Sequence, residues 1–185
     1  TIFVAGSAVQ WLRDRLGIIA SATETEELAR SVPDNGGVSC VPALSGLGAP
    51  YWDAGARGVI AGLTLGAGRA HIVRAMLEAM AHQCHDLAAA FRSDGVAWDV
   101  LRIDGGMAAN DWVAQDLADM LDVPVERPAD IETTALGAAM LAAVGAGLYP
   151  GLADAAAAMR PVTTRFTPAM PAAARAARLA HCSRA

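Results

Sequence analysis

The chain has 185 residues, 54% hydrophobic and 18% charged, a balance that fits one domain with a sizeable core and excludes a disordered segment. Its formal net charge of -5 speaks against nucleic acid as a partner, since that calls for a basic surface. All 14 basic residues are Arg, so Schiff-base chemistry and a phosphate-binding P-loop lysine are excluded in this chain.

Gly6 to Leu16 reads as a helix that stops near Gly17. Residues 23–31 read as a second helix, with Thr23 and Glu26 as a capping box. The Pro33 to Gly37 stretch is a turn, and Val38 to Ala43 is a short β-branched strand. Ser45 to Gly58 is a loop rich in Gly, and Gly58 to Leu63 is another short strand. From Arg69 to Arg92, apolar residues at Ile72, Ala75, Met76, Ala79, Met80 and Leu87 mark a long amphipathic helix. Then come a strand at Val100 to Ile103, a turn at Asp104-Gly105-Gly106 and a helix from about Ala108 to Leu121. A strand at Val123 to Glu126, interrupted by Pro124, and a turn at Arg127 to Asp130 lead to an Ala-rich helix from Thr133 or Thr134 to Gly147. Strand–helix–strand–helix predicts an α/β fold with neighbouring parallel strands. The tail carries helical patches at 152–160 and 171–182.

Cys40, Cys84 and Cys182 have neither metal-ligand nor CxxC spacing, and their small odd number reads as reduced thiols in a cytoplasmic protein. No leader pattern opens the chain, and no apolar run reaches the ~18 residues of a membrane span. The start at Thr1, within an apolar stretch, reads as a cut inside a longer protein.

Ligands of parallel sheets bind beyond the carboxyl ends of the strands, where Gly105-Gly106 falls. Glycine lets a ligand approach the backbone, and Asn110, four residues after Gly106, would offer an amide from the same helix face. Gly6 and Gln10 repeat that spacing on a flat helix of small residues. Taken singly, Gly105-Gly106 is better explained as a plain turn and the Gly6 pair as close helix packing; together the two pairs suggest a clamp on a nucleotide's base and ribose. Thr133 and Thr134 are expected to cap their helix. Glu78, on or beside the apolar face of the long helix, is expected to pair with an Arg or a loop N–H. Asp53 is expected as a turn residue. His82 and His85 lack further ligands at metal spacing, so no metal residue is assigned. No nucleophile–base pair stands out, and no catalytic residue is assigned.

Several motifs carry a family resemblance. Gly46-Leu47-Gly48-Ala49-Pro50-Tyr51-Trp52-Asp53 with Ala56-Arg57-Gly58 resembles the loop characteristic of glycerol kinases. Gly58-Val59-Ile60-Ala61-Gly62-Leu63, a seven-residue spacer, then His71-Ile72 and Ala75-Met76-Leu77-Glu78 is similar to the second signature of the FGGY carbohydrate kinases. Arg102 to Gly106 with Ala109-Asn110 resembles the family's adenosine-binding turn, and Glu132 to Ala139 the helix start after it. Gly6 to Asp14 resembles the helix that lies against the nucleotide. Leu44-Ser45, Ala54-Gly55 and Asp111 depart from the usual Phe-Thr, Pro-Tyr and Asn.

The resemblance implies the C-terminal domain of an actin-like ATPase fold, ribonuclease H-like and incomplete at its N-terminal strands, over residues 1–166, with a helical tail at 167–185. It implies ATP-dependent phosphorylation of glycerol to sn-glycerol 3-phosphate with Mg²⁺ in the full-length, cytoplasmic and oligomeric enzyme. Gly6, Gln10, Gly106 and Asn110 would contact ATP or ADP. The glycerol site, the catalytic Asp and the phosphate-facing turn would precede this chain, leaving it inactive alone with an unpaired sheet edge. A xylulose or gluconate kinase of the same superfamily, or a non-catalytic nucleotide-binding module, are the other readings.

Overall fold

The computed structural model describes residues 2–182. Helices α1 (Gly6–Asp14) and α2 (Glu24–Arg30) precede an antiparallel pair, β1 (Ser39–Val41) and β2 (Val59–Ala61). Helix α3 (Arg69–Ser93) follows. Next come β3 (Leu101–Arg102), a 3-10 turn (Gly106–Ala109), α4 (Asp111–Leu121), β4 (Val125–Pro128) and α5 (Thr133–Gly145). The chain closes with α6 (Leu152–Ala158), β5 (Thr163–Phe166) and α7 (Ala172–Cys182).

The apolar spacing in α3 becomes the centre of the core. Its 25 residues, about 37 Å of helix, bury Val73, Met76, Leu77, Ala79 and Met80. Leu12 of α1, Ala29 of α2, Val38, and Leu117 and Met120 of α4 join the same cluster. The expected parallel pair is present: β3 runs parallel to β4, with Leu101 opposite Val125.

Four local expectations are corrected. First, β4 lies two residues later than its apolar pattern suggests. Pro124 precedes the strand, and Arg127 and Pro128, expected in a turn, belong to it. The cause is β5, which sequence pattern does not reveal: it is mostly exposed and pairs antiparallel with β4, Pro128 opposite Thr163 and Val125 opposite Phe166. Second, Thr23 caps nothing and has helical backbone angles. The start of α2 is held instead by Glu24, which accepts from Ala20 N at 2.7 Å, and by Thr25, which donates to Ala22 O at 2.6 Å. Third, the helix expected from Ala108 is broken at Asn110, whose backbone is extended (φ -84°, ψ 110°). Gly106 and Asn110 therefore do not share one α-helical face. Fourth, α5 has no threonine cap; Thr133 donates its hydroxyl to Asp104 of the preceding loop.

Glu78 and Asp53 behave as expected. Glu78 accepts from Arg74 Nε at 3.0 Å and Asn35 Nδ2 at 2.7 Å. Asp53 accepts from the N–H groups of Gly55 and Ala56 in its loop. The sheet order β3-β4-β5 puts the two-residue β3 at an edge. No helix among the described residues is long and apolar enough to cross a membrane.

His82 carries a pH dependence. Its Nε2 is buried without a hydrogen-bond partner among the described residues. Burial, aided by Arg178, pushes its pKa down to about 4, so the folded state holds it neutral. An unfolded histidine titrates near 6.5. As pH falls from about 6.5 to about 4, only the unfolded chain gains this proton, and stability is lost at up to about 1.4 kcal/mol per pH unit. Asp116, raised to about 6 by burial, acts in the opposite sense over an overlapping range. The His82 effect is therefore the difference between wild type and His82→Leu. Denaturant melts at pH 7 and pH 4.5 are expected to show the variant gaining on wild type in acid; a constant difference contradicts a neutral His82.

Candidate functional site

A hollow of about 480 Å³ lies between α1 and the loop after β3. Gly6, Val9, Gln10 and Arg13 line it from α1, Asp104, Gly106 and Met107 from the loop, with Ala5 and Ala22 completing the lining. Three of the four candidate residues, Gly6, Gln10 and Gly106, thus meet at one cavity although 100 residues separate the two glycines. Asn110 does not line the hollow; it sits behind the loop as the cap of α4.

Each wall has a local reason. At Gly6, a Cβ would come 3.3 Å from Met107 Cγ, so the glycine sets how closely α1 approaches the loop. Gly105 has φ 77°, a conformation that favours glycine. Gly106 differs: nothing lies within 4 Å of a Cβ built there, so its bare backbone faces open space. The turn is pinned from below by Arg127. Its Nη1 donates to Ala108 O and Asp111 Oδ1, both at 2.7 Å, and its guanidinium stacks 5.2 Å from the Phe166 ring. On α4, Asn110 Oδ1 accepts from Val113 N at 3.0 Å, and its Nδ2 donates to Thr25 Oγ1 at 3.2 Å. A bare glycine backbone on each wall and an amide at the rim suit a flat, polar-edged ligand.

Sequence reasoning missed Met107, Asp104, Ala22 and Arg13 as lining residues and Arg127 as a support. Only Asp104, at the end of a strand before Gly-Gly, carried a signal. A second hollow of about 560 Å³ shares Asp104 with the first and is bordered by Arg102, Glu126, Thr133, Met140 and Arg160. The thiols of Cys40 and Cys84 are pushed up to about 12 and 11 by burial, which leaves them unreactive near neutrality.

The fold belongs to the actin-like ATPase class, in which many sugar kinases are built. Residues 1–146 match the C-terminal domain of the FGGY family of carbohydrate kinases, and the chain belongs to that family. It is 58% identical over 180 residues to the glycerol kinase of Rhodospirillum centenum, covering 97% of this chain and 36% of that protein. It is 54% identical over 186 residues to the glycerol kinase of Aromatoleum aromaticum, with 100% and 37% covered. Among solved structures, Plasmodium falciparum glycerol kinase with ADP superposes with TM-score 0.86 at 34% identity, over 99% of this chain and 36% of that one. The xylulose kinase of Rhodospirillum rubrum gives 0.76 at 29% identity, over 99% and 38%. The chain thus spans little more than a third of the length of these relatives.

Proposed function

We propose that this chain is the adenosine-binding part of a glycerol kinase, which phosphorylates glycerol from ATP to sn-glycerol 3-phosphate. The observation that carries the reading is the convergence of Gly6, Gln10 and Gly106 on one hollow, in a chain whose relatives at 54–58% identity are glycerol kinases. The lower identity to the xylulose kinase, 29%, favours glycerol over a sugar as acceptor. In this reading adenosine lies between the two glycine surfaces, with Gln10 donating to its polar edge; Asn110, the cap of α4 behind the loop, enters the reading only through the motif it shares with the family.

Phosphoryl transfer needs positioning, a metal and a base for the acceptor hydroxyl. We place the base and the glycerol site in the part of the relatives' length that this chain does not span. Among the described residues no group of three or more His, Cys, Asp or Glu is placed to hold a metal ion, so none is assigned to Mg²⁺, which would be carried on the nucleotide's phosphates. The complete enzyme is read as cytoplasmic and homo-oligomeric.

Calorimetric titration of the 185-residue chain with ADP is expected to show binding that Gln10→Ala weakens about five- to tenfold, the value of one lost hydrogen bond. A coupled ADP-release assay with glycerol is expected to show no turnover by the chain alone. Absence of ADP binding contradicts the adenosine assignment, and glycerol-dependent turnover contradicts the placement of the base elsewhere.

A further inference from the structure

Helix α7 docks without burying any residue of its own, so polar contacts carry much of its attachment. Arg178 commits both terminal nitrogens to Asp116 of α4, at 2.5 and 3.0 Å. Ser39 Oγ of β1 lies 3.0 Å from His181 Nε2. Two polar atoms at this dock are buried without a protein partner among the described residues: Arg178 Nε and His82 Nε2 of α3. A buried polar atom without a partner calls for a physical explanation. Both residues line one small hollow, with about 20 Å³ of room for a water-sized sphere. Asn35, Ser39, Glu78 and His181 complete its polar lining. Arg178 and Glu78 both act on the charge of the His82 ring, so the three groups stand close together.

The hollow's size and chemistry select the occupant. A water needs about 10–15 Å³ of such room and two to four polar partners. An anion would face the Glu78 carboxylate and a cation the Arg178 guanidinium, whereas a neutral molecule meets neither repulsion. The Nε–H of Arg178 can only donate. Nε2 of a neutral imidazole accepts when the proton sits on Nδ1. A water accepts from the first and donates to the second. Its other proton has a place on Glu78, whose oxygens each accept one bond, from Arg74 and from Asn35, and keep further lone pairs. We propose that this hollow is a binding site for one internal water, which bridges Arg178 Nε on α7 to His82 Nε2 on α3 and completes the docking of α7. The site shares no residue with the hollow assigned to adenosine, so it stands independently of that reading.

A crystal structure of the 185-residue chain is the direct test. One density peak is expected in the hollow, about 2.7–3.2 Å from both His82 Nε2 and Arg178 Nε. No peak, a protein atom at that point, or a peak that reaches only one of the two atoms overturns the bridge. Bromide in place of chloride separates water from a halide: an anomalous signal at the peak identifies an anion and overturns the proposal. In solution, a long-lived internal water is expected to give a direct cross-relaxation peak to the Arg178 Nε proton, and its absence overturns the proposal as well. His82→Leu removes the acceptor and is expected to abolish that cross-peak. A cross-peak of unchanged intensity in the variant means that the water does not depend on His82, and the bridge fails. Should His82→Leu not fold, the density and the spectra of the unmodified chain decide by themselves.

Discussion

Gly106→Val is expected to lower ADP affinity by about 100-fold, or some 2.7 kcal/mol, while shifting the melting temperature by less than about 3 °C. The dissociation of the two effects follows from the surroundings of this glycine. A Cβ at Gly106 meets nothing within 4 Å, and its backbone angles do not demand glycine. Loss of glycine also restricts the unfolded chain, a gain of about 0.4–1 kcal/mol that offsets the poorer helical preference of valine. The branched side chain then enters the hollow that Gly6 and Gln10 face and holds the ligand off the backbone. Gly105→Val is the contrasting control. At φ 77° a β-branched residue is strained by about 1–3 kcal/mol, so this variant is expected to lose stability as well as affinity. Calorimetry with parallel thermal melts checks both. Unchanged ADP affinity in Gly106→Val would show that adenosine does not lie on this turn.

The largest stability effect is expected at Arg178. From α7 it reaches Asp116 of α4 with two bonds, 2.5 and 3.0 Å, and approaches Glu78 of α3 at 3.9 Å. Asp116 and Glu78 are buried to 5% and 3% exposure. Arg175 adds a two-bond contact to Asp122 at 3.0 and 2.8 Å, but Asp122 is exposed, so that pair contributes little. Arg178→Met leaves the Asp116 carboxylate buried without its cation, a cost of about 3–5 kcal/mol. Glu78 keeps Arg74 and Asn35 and is less affected.

The loss depends on pH in a defined direction. Burial outweighs the arginine and raises the Asp116 pKa to about 6. A carboxyl whose folded pKa is raised prefers its proton in the folded state, so its burial penalty falls as pH drops through that value. Arg178→Met is therefore expected to be most destabilising at pH 7.5 and visibly less so at pH 5. The double variant Asp116→Leu/Arg178→Met removes both charges and is expected to recover most of the loss, because an apolar pair avoids desolvation. Urea melts of the three proteins at both pH values measure this. A double variant no better than Arg178→Met would mean that α7 docks by packing, with the ion pair incidental.

The local sequence settles whatever depends on near neighbours. Ala75, Met76, Ala79 and Met80 lie at helical spacing and are buried, so α3 follows from the pattern, but Ile72 and Leu87 are only half-buried and Val73, Leu77 and Ala81, outside the pattern, are buried as well. Gly17 and Gly95 mark chain reversals through their positive φ. The ordered motifs from Gly6 to Ala139 also carry the family, because each set of residues stands at a fixed separation. Asp116, a carboxylate among Val113, Leu117 and Met120, is not singled out by the sequence; its burial and its partner Arg178 emerge only from the docking of α7 on α4.

The tertiary structure decides the features that need two distant segments. Whether β4 starts at Val123 or Val125 is set by its pairing with β5, whose three consecutive polar, exposed residues Thr163, Thr164 and Arg165 show no apolar–polar alternation to mark a strand. Asn110 leaves the helix because Val113 N and Thr25 Oγ1 each bind one end of its amide, and Thr25 lies 85 residues away. Gly6 and Gly106 face one hollow because α1 packs on α3, and because Arg127 and Phe166 hold the turn in place. Residue identity fixes local geometry and chemical capacity; which capacities meet at one cavity depends on how the helices and strands pack, and that is decided by contacts across the whole chain.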